Sequence, residues 1–194
     1  MREILVPHDE SRGPLSAVRR MLVHSSISEL QELGVYERYC ELVDRAALAR
    51  INQLIGPGWM PVELALAHYD ACDQLRLSDA IVTAAGVRAG ENLSSALLVA
   101  GLGVQDRSPW SFIGAFSRMG RRIYEGGSAQ YVKLGEKILE IEHVRNPLFS
   151  FHYYRVAHGG FLRKSFGSLG ADIHEVTFAP YRAEGQIEVR LSWR

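Results

Sequence analysis

Over the last third of the chain, apolar and polar positions fall into two regular patterns. Tyr131 to Leu134 and Lys137 to Val144 are aliphatic-rich runs on either side of Gly135-Glu136, a glycine-containing turn of the kind that closes a hairpin. In the second run Leu139 and Ile141 alternate with Glu140 and Glu142, so one face can be buried while the other meets water. Asn146-Pro147 stops this strand and opens a helix, since Pro is tolerated in a first turn and Asn accepts the free amide protons there. From Leu148 to Leu169 the residues Phe151, Tyr154, His158, Phe161, Leu162 and Leu169 recur every three to four positions, which is the stripe of an amphipathic helix that Gly170 ends. Ile173 to Phe178 and Ile187 to Trp193 read as two further strands. In the second of them Ile187, Val189, Leu191 and Trp193 alternate with Glu188, Arg190, Ser192 and Arg194. Residues 128–194 are thus expected to form a strand-strand-helix-strand-strand unit, a four-stranded antiparallel sheet with the helix crossing one face.

Upstream the period changes from two to about 3.6. Residues 1–25 are broken by Pro7, Gly13 and Pro14 and predict a loose arm or a short strand. Ser26 and Glu29 have capping-box spacing and predict a short helix that Gly34 ends. A longer helix follows from Tyr36 to Ile55, broken by Gly56-Pro57-Gly58. Trp59-Met60-Pro61 opens the next, to about Leu75. Ser78 caps a helix that stops near Gly86, and Glu91 to Leu102 is another. Ser108-Pro109 starts the last, which runs to about Tyr124. The fold class is therefore α+β: a helical bundle over 26–127 followed by the sheet unit, in a single domain spanning 1–194.

Composition narrows the functions available. With 194 residues, 47% of them hydrophobic, the chain can bury roughly 70% of the surface it exposes when unfolded. Its 22 basic and 22 acidic residues leave no net field for nucleic acid or an anionic membrane. Cys40 and Cys72 are too few for a disulfide framework and fit a reducing compartment. The chain shows no membrane-spanning run and no secretory-signal order at its start, so a cytoplasmic location is expected. Gly-x-Ser-x-Gly and phosphate-cradling Gly-x-x-x-x-Gly-Lys motifs are lacking, and no catalytic residue is expected. His68 and Cys72 share a helical face at four-residue spacing, but the further ligands of a zinc site are not supplied, and core packing is the expected role. His8-Asp9-Glu10 reads as a solvated turn, and Arg118, Arg121 and Arg122 as a solvated helix face. His143 and His174 occupy strand positions from which they could neighbour each other across the sheet.

The order of elements resembles the fold shared by haem nitric-oxide-binding sensor domains, 4-vinyl reductase ligand-binding domains and transport-particle subunits. The stretches "LVHSSISELQELGVYERYC", "WMPVELALAHYDACDQLRLSDAIV" and "EVRLSW" also resemble an uncharacterised bacterial family placed near that fold. The resemblance implies a proximal His ahead of the sheet and a Tyr-x-Ser-x-Arg clamp for the haem propionates. Here Tyr131 matches the clamp, but Lys133 stands for its Ser and Gly135 for its Arg, and no histidine lies between Tyr69 and Glu142. No haem or other cofactor is therefore expected.

Two functions remain open. One is a non-catalytic sensory or regulatory module holding a hydrophobic small molecule between bundle and sheet. The other is a scaffold subunit with a filled core that acts as a homodimer or with a protein partner. The pocket expected for the first is lined by Phe112, Phe116, Tyr124, Phe151, Tyr154, His158 and Phe161, aromatic groups with a few polar tips. Gly159-Gly160 would leave the helix bare beside it, so Gly160→Leu is expected to fill the gap without unfolding the protein.

Overall fold

In this computed structural model the strand with the strictest alternation sits inside the sheet. The structure describes residues 2–99, 108–182 and 185–194, with side chains for all of these except 92–99. The main sheet has five strands: β1 (Glu3–Val6), β5 (Ser128–Gly135), β6 (Ile138–Val144), β7 (Ile173–Phe178) and β8 (Ile187–Trp193). Their spatial order is β1-β5-β6-β8-β7, with every neighbouring pair antiparallel. The expected four strands are present, and the fifth comes from the N-terminal segment. Glu3, Ile4 and Val6 pair with Lys133, Val132 and Tyr131, so part of the arm is an edge strand.

Register aligns one inner face across the sheet. Tyr131, Ile141 and Val189 stand in line, as do Lys133, Leu139 and Leu191, and His143 lies opposite Ile187. On the other face Glu140 is buried rather than solvated, because Arg190 Nη2, at 2.9 Å, and Arg2 Nη2, at 3.6 Å, lie over its carboxylate. His143 and His174 are not neighbours, since β8 runs between their strands.

Seven helices are described: α1 (Arg20–Glu32), α2 (Tyr36–Leu42), α3 (Arg45–Gln53), α4 (Val62–Gln74), α5 (Asp79–Val99), α6 (Pro109–Ile123) and α7 (His152–Gly167). A second, small sheet joins β2 (Ala17–Arg19) to β3 (Trp59–Pro61) and β4 (Tyr124–Glu125), with β2 in the middle. This small sheet explains two departures from the sequence pattern. Trp59-Met60-Pro61 is a strand before it is a helix start, with Met60 opposite Val18 and both fully buried. Helix α1 begins at Arg20 rather than Ser26 because the chain leaves β2 there. The Arg20 amide donates to the Gly58 carbonyl, and its guanidinium to the carbonyls of Ile55 and Trp59.

The long helix expected from Tyr36 to Ile55 is two helices. Val43 is extended, and the Asp44 carboxylate then caps α3 by accepting from the Ala47 amide at 2.8 Å. Conversely, the two helices expected to either side of Gly86 are one, α5, because Gly86 does not end a helix but brings two together. A methyl group on Gly86 would collide with the Ala157 carbonyl of α7, and one on Gly160 with the Thr83 carbonyl of α5. These glycines let the two helix backbones touch. The expected end of that region at Leu102 lies outside the described residues. Pro147–Ser150 forms a 3₁₀ turn capped by the Asn146 side chain, and α7 proper starts at His152.

Candidate functional site

Helices α6 and α7 lie over the inner face of the sheet. Phe116 of α6 meets Tyr131 of β5 edge to face, and Trp110 packs against Trp193 at the end of β8. The start of α7 is fixed from another helix, since both carboxylate oxygens of Asp73 on α4 accept its first amide protons. His152 N lies 2.9 Å and Tyr153 N 2.6 Å from them. A carboxylate there also complements the positive end of the helix dipole.

Between α1, α5, α6, α7 and the strands β5 and β6 lies a chamber of about 370 Å³. Phe116, Tyr124, Tyr154, His158 and Phe161 line it, five of the seven residues expected to form a pocket. The other two do not. Phe112 packs against Phe116 and Phe166, and Phe151 faces Tyr69 with ring centres 6.4 Å apart. The bare stretch of α7 is no part of a void, because Gly160 is covered by the α5 backbone. The expectation that Gly160→Leu would be tolerated is therefore corrected: close packing, and not a cavity, requires that glycine.

Several lining residues were missed. Tyr69, Tyr131, His143, Tyr153 and Arg12 also reach the chamber. The signal for His143 was present, because the parity that buries Leu139 and Ile141 also turns His143 inward. Tyr153, expected in solvent, is buried, with its hydroxyl 3.1 Å from the Ser26 hydroxyl. Arg12 comes from the irregular N-terminal arm, where no period marks an inward residue. Its Nη2 donates to the carbonyls of Tyr124 and Gly126.

Two histidines face each other at the inner end. His143 on β6 and His158 on α7 meet edge to face with ring centres 5.6 Å apart, and the Phe149 ring lies against both. Neither Nε2 atom has a hydrogen-bond partner among the described residues. Burial pushes the His158 pKa down to about 4. Burial, followed by the proximity of His158 and His8, holds His143 well below its ordinary value. His158 keeps some accessible surface, but that surface faces the chamber rather than bulk water, so the ring is still desolvated. Both imidazoles are therefore neutral at pH 7. The hydroxyls of Tyr124 and Tyr154 lie 2.5 Å apart, and burial keeps both phenols protonated.

Charged groups sit toward the mouth. Arg88 Nε donates to Glu29 Oε2 at 2.9 Å, which places Glu29 in an interhelical pair instead of the expected capping box. Asp9 is bonded to the amide and hydroxyl of Ser11, and its own amide donates to the Ser128 hydroxyl. Exposed Met21 and the neighbouring Leu22 form the apolar side of the opening.

The other expected sites stay outside the chamber. His68 is fully buried, its Nδ1 2.9 Å from the Tyr39 hydroxyl and its Nε2 3.6 Å from Cys72 Sγ. Lys133 points from the inner face of β5 and places its ammonium over the Trp110 ring, 4.9 Å from the centroid. Gly135 closes the same strand without a side chain.

Solved structures of H-NOX domains superpose on this helical layer and antiparallel sheet. The H-NOX protein from K. algicida, in its Fe(II) unliganded form, aligns with 91% of this chain and 96% of its own at a TM-score of 0.66 and 11% identity. A point mutant of the T. Tengcongensis H-NOX covers 90% of this chain and 96% of its own, with a TM-score of 0.58 and 14% identity. A Cs H-NOX mutant carrying 4-cyano-L-phenylalanine gives 0.61 at 11% identity, over 91% of this chain and 96% of its own. The chain thus has the H-NOX fold. No family model matches it, and no curated protein matches it in sequence.

Proposed function

We propose that this protein is a non-catalytic sensory or regulatory module that holds one small, mainly apolar molecule in the chamber and signals its occupancy through a partner contact. The observation that carries the reading is the chamber itself. Its volume of about 370 Å³ falls in the range of small-molecule sites, and its walls are largely aromatic and aliphatic with a few convergent polar groups. The shared fold adds weight, since one of its solved members is described in terms of H-NOX activation.

Haem, which the resemblance implies for this fold, does not fit the residues present. The position of the clamp Ser holds Lys133, whose ammonium is engaged with Trp110, and the position of the clamp Arg holds Gly135. The histidines at the chamber, His143 and His158, touch edge to face, so no macrocycle can lie between them. Among the described residues no helix is long and apolar enough to cross a membrane.

The test is uptake of the neutral fluorescent dye N-phenyl-1-naphthylamine. Wild type should bind one equivalent. Ala129→Leu, which fills the chamber from β5, should weaken binding by about tenfold or more while the protein still melts cooperatively. Failure of wild type to take up the dye would overturn the reading, as would undiminished uptake by Ala129→Leu, and the scaffold alternative would then stand.

A further inference from the structure

The chamber is graded from end to end. Its inner wall is formed by buried His143, Tyr154 and Tyr69 together with His158, and its mouth by exposed Met21, Leu22 and charged groups that already have partners or reach solvent. We infer that its occupant is an uncharged amphiphile bound polar end first, with a hydroxyl or carbonyl against His143 and His158 and the apolar remainder running toward Met21 and Leu22. This inference rests on the reading of the chamber as a ligand site.

Three observations converge on it. Neither imidazole has a hydrogen-bond partner among the described residues; both Nε2 atoms are sealed in, so the ring nitrogens left for a ligand are the Nδ1 atoms, and native proteins rarely leave a buried imidazole unsatisfied. A neutral imidazole offers one donor and one acceptor, so the pair matches a hydroxyl, which does both, or a carbonyl accepting from a ring N–H. The inner end also rejects charge. The burial that keeps His158 neutral and raises the Tyr69 and Tyr154 phenols well above their ordinary range would act equally on a carboxylate or an ammonium placed beside them.

The nearby cations do not change this. Arg88 is paired with Glu29, and Arg12 is held by Nη2 on the Tyr124 and Gly126 carbonyls, although its Nε has no partner among the described residues. Arg121 is exposed at the mouth, where it would meet the far end of the ligand rather than its buried head. Exposed Met21 at the opening gives an alkyl or aromatic tail a surface on which to leave the chamber.

The experiment is competition against N-phenyl-1-naphthylamine at pH 7.5 by 1-octanol, 2-octanone, octanoate and octylammonium. Octanol and octanone should displace the dye at concentrations about tenfold or more below those of the two ions. His158→Phe, with competition referred to the variant's own measured dye affinity, should require about tenfold more octanol, the loss expected for one hydrogen bond to a buried group. The variant is needed because a merely greasy chamber would also prefer octanol to octanoate, but would keep that preference without the imidazole. His143→Phe supplies the same comparison if His158→Phe does not fold. Octanoate competing as well as octanol would overturn the inference, as would unchanged octanol competition in both variants. Failure of wild type to bind the dye at all would instead sink the ligand-site reading beneath it.

Discussion

His143, His158 and His68 share one physical situation: each imidazole has been moved out of water without an acid beside it. Burial lowers the pKa of His158 to about 4 and that of His68 to about 3, and holds His143 well below the ordinary 6.5. A depressed folded-state pKa means that the unfolded chain binds the proton first. The stability these groups contribute is fully present above pH 6.5 and is lost as pH falls toward the folded values. Between pH 6.5 and 5, before most carboxylates titrate, His158 and His68 should each cost on the order of 1 to 2 kcal/mol, and His143 should act in the same direction. Urea midpoints measured across that window should therefore fall steeply, and His158→Phe should remove about one proton from the slope. A midpoint unchanged from pH 7 to 5 would show that these rings stay solvated. His158 was legible in the sequence because it continues a helical stripe that includes Tyr154 and Phe161. His143 was legible only in part, since its strand parity pointed inward but named no neighbour; β6 and α7 meet through tertiary packing alone. Arg12 carried no local signal at all.

Helices α5 and α7 show where pattern and packing part company. Glycine is a poor helix former, so Gly86 read as a stop, and Gly159-Gly160 as a gap in α7. In the fold Gly86 and Gly160 face each other's helix backbone, and contact with the partner overrides propensity. Gly160→Leu should accordingly fail to fold, and Gly160→Ala should lose about 1 to 3 kcal/mol or more, because its methyl group meets the Thr83 carbonyl rather than a side chain that can yield. Gly167→Ala, near the end of the same helix with open space around the added methyl, is the control and should be neutral or slightly stabilising. Thermal melts of the three variants decide the matter; equal melting of Gly160→Ala and Gly167→Ala would refute the close crossing. The strands β6 and β8 and the start of α6 at Ser108-Pro109 were legible, since alternation and caps are local. Strand β1 was legible only as one of two alternatives for the N-terminal segment, and β2 and β3 not at all, because three or four residues hold too little pattern and their pairing partners are distant in sequence.

Taken together, the elements reproduce the H-NOX fold at 11–14% identity in the structures compared, a level at which layer order and the burial pattern survive while side chains are largely replaced. The order of helices and then sheet was readable for that reason. The chamber was readable only as a set of aromatics, because its walls come from α1, α5, α6, α7, two strands and the N-terminal arm. Replacement of the clamp gives a prediction for the intact protein. Hemin added to it should give no sharp ferrous Soret band that shifts with nitric oxide. A stoichiometric band lost in His158→Ala would make that histidine an iron ligand, against the misfit that Lys133, Gly135 and the touching rings present.

The Asp73 carboxylate that starts α7 ties the helix bearing His158 to α4, while Gly86 and Gly160 bind α7 to α5 with no side chains between to act as a bearing. A push on α7 from inside the chamber therefore cannot be absorbed by that helix alone. Either the two charge-assisted hydrogen bonds at Asp73 break, or α4, α5 and α7 shift as one lever.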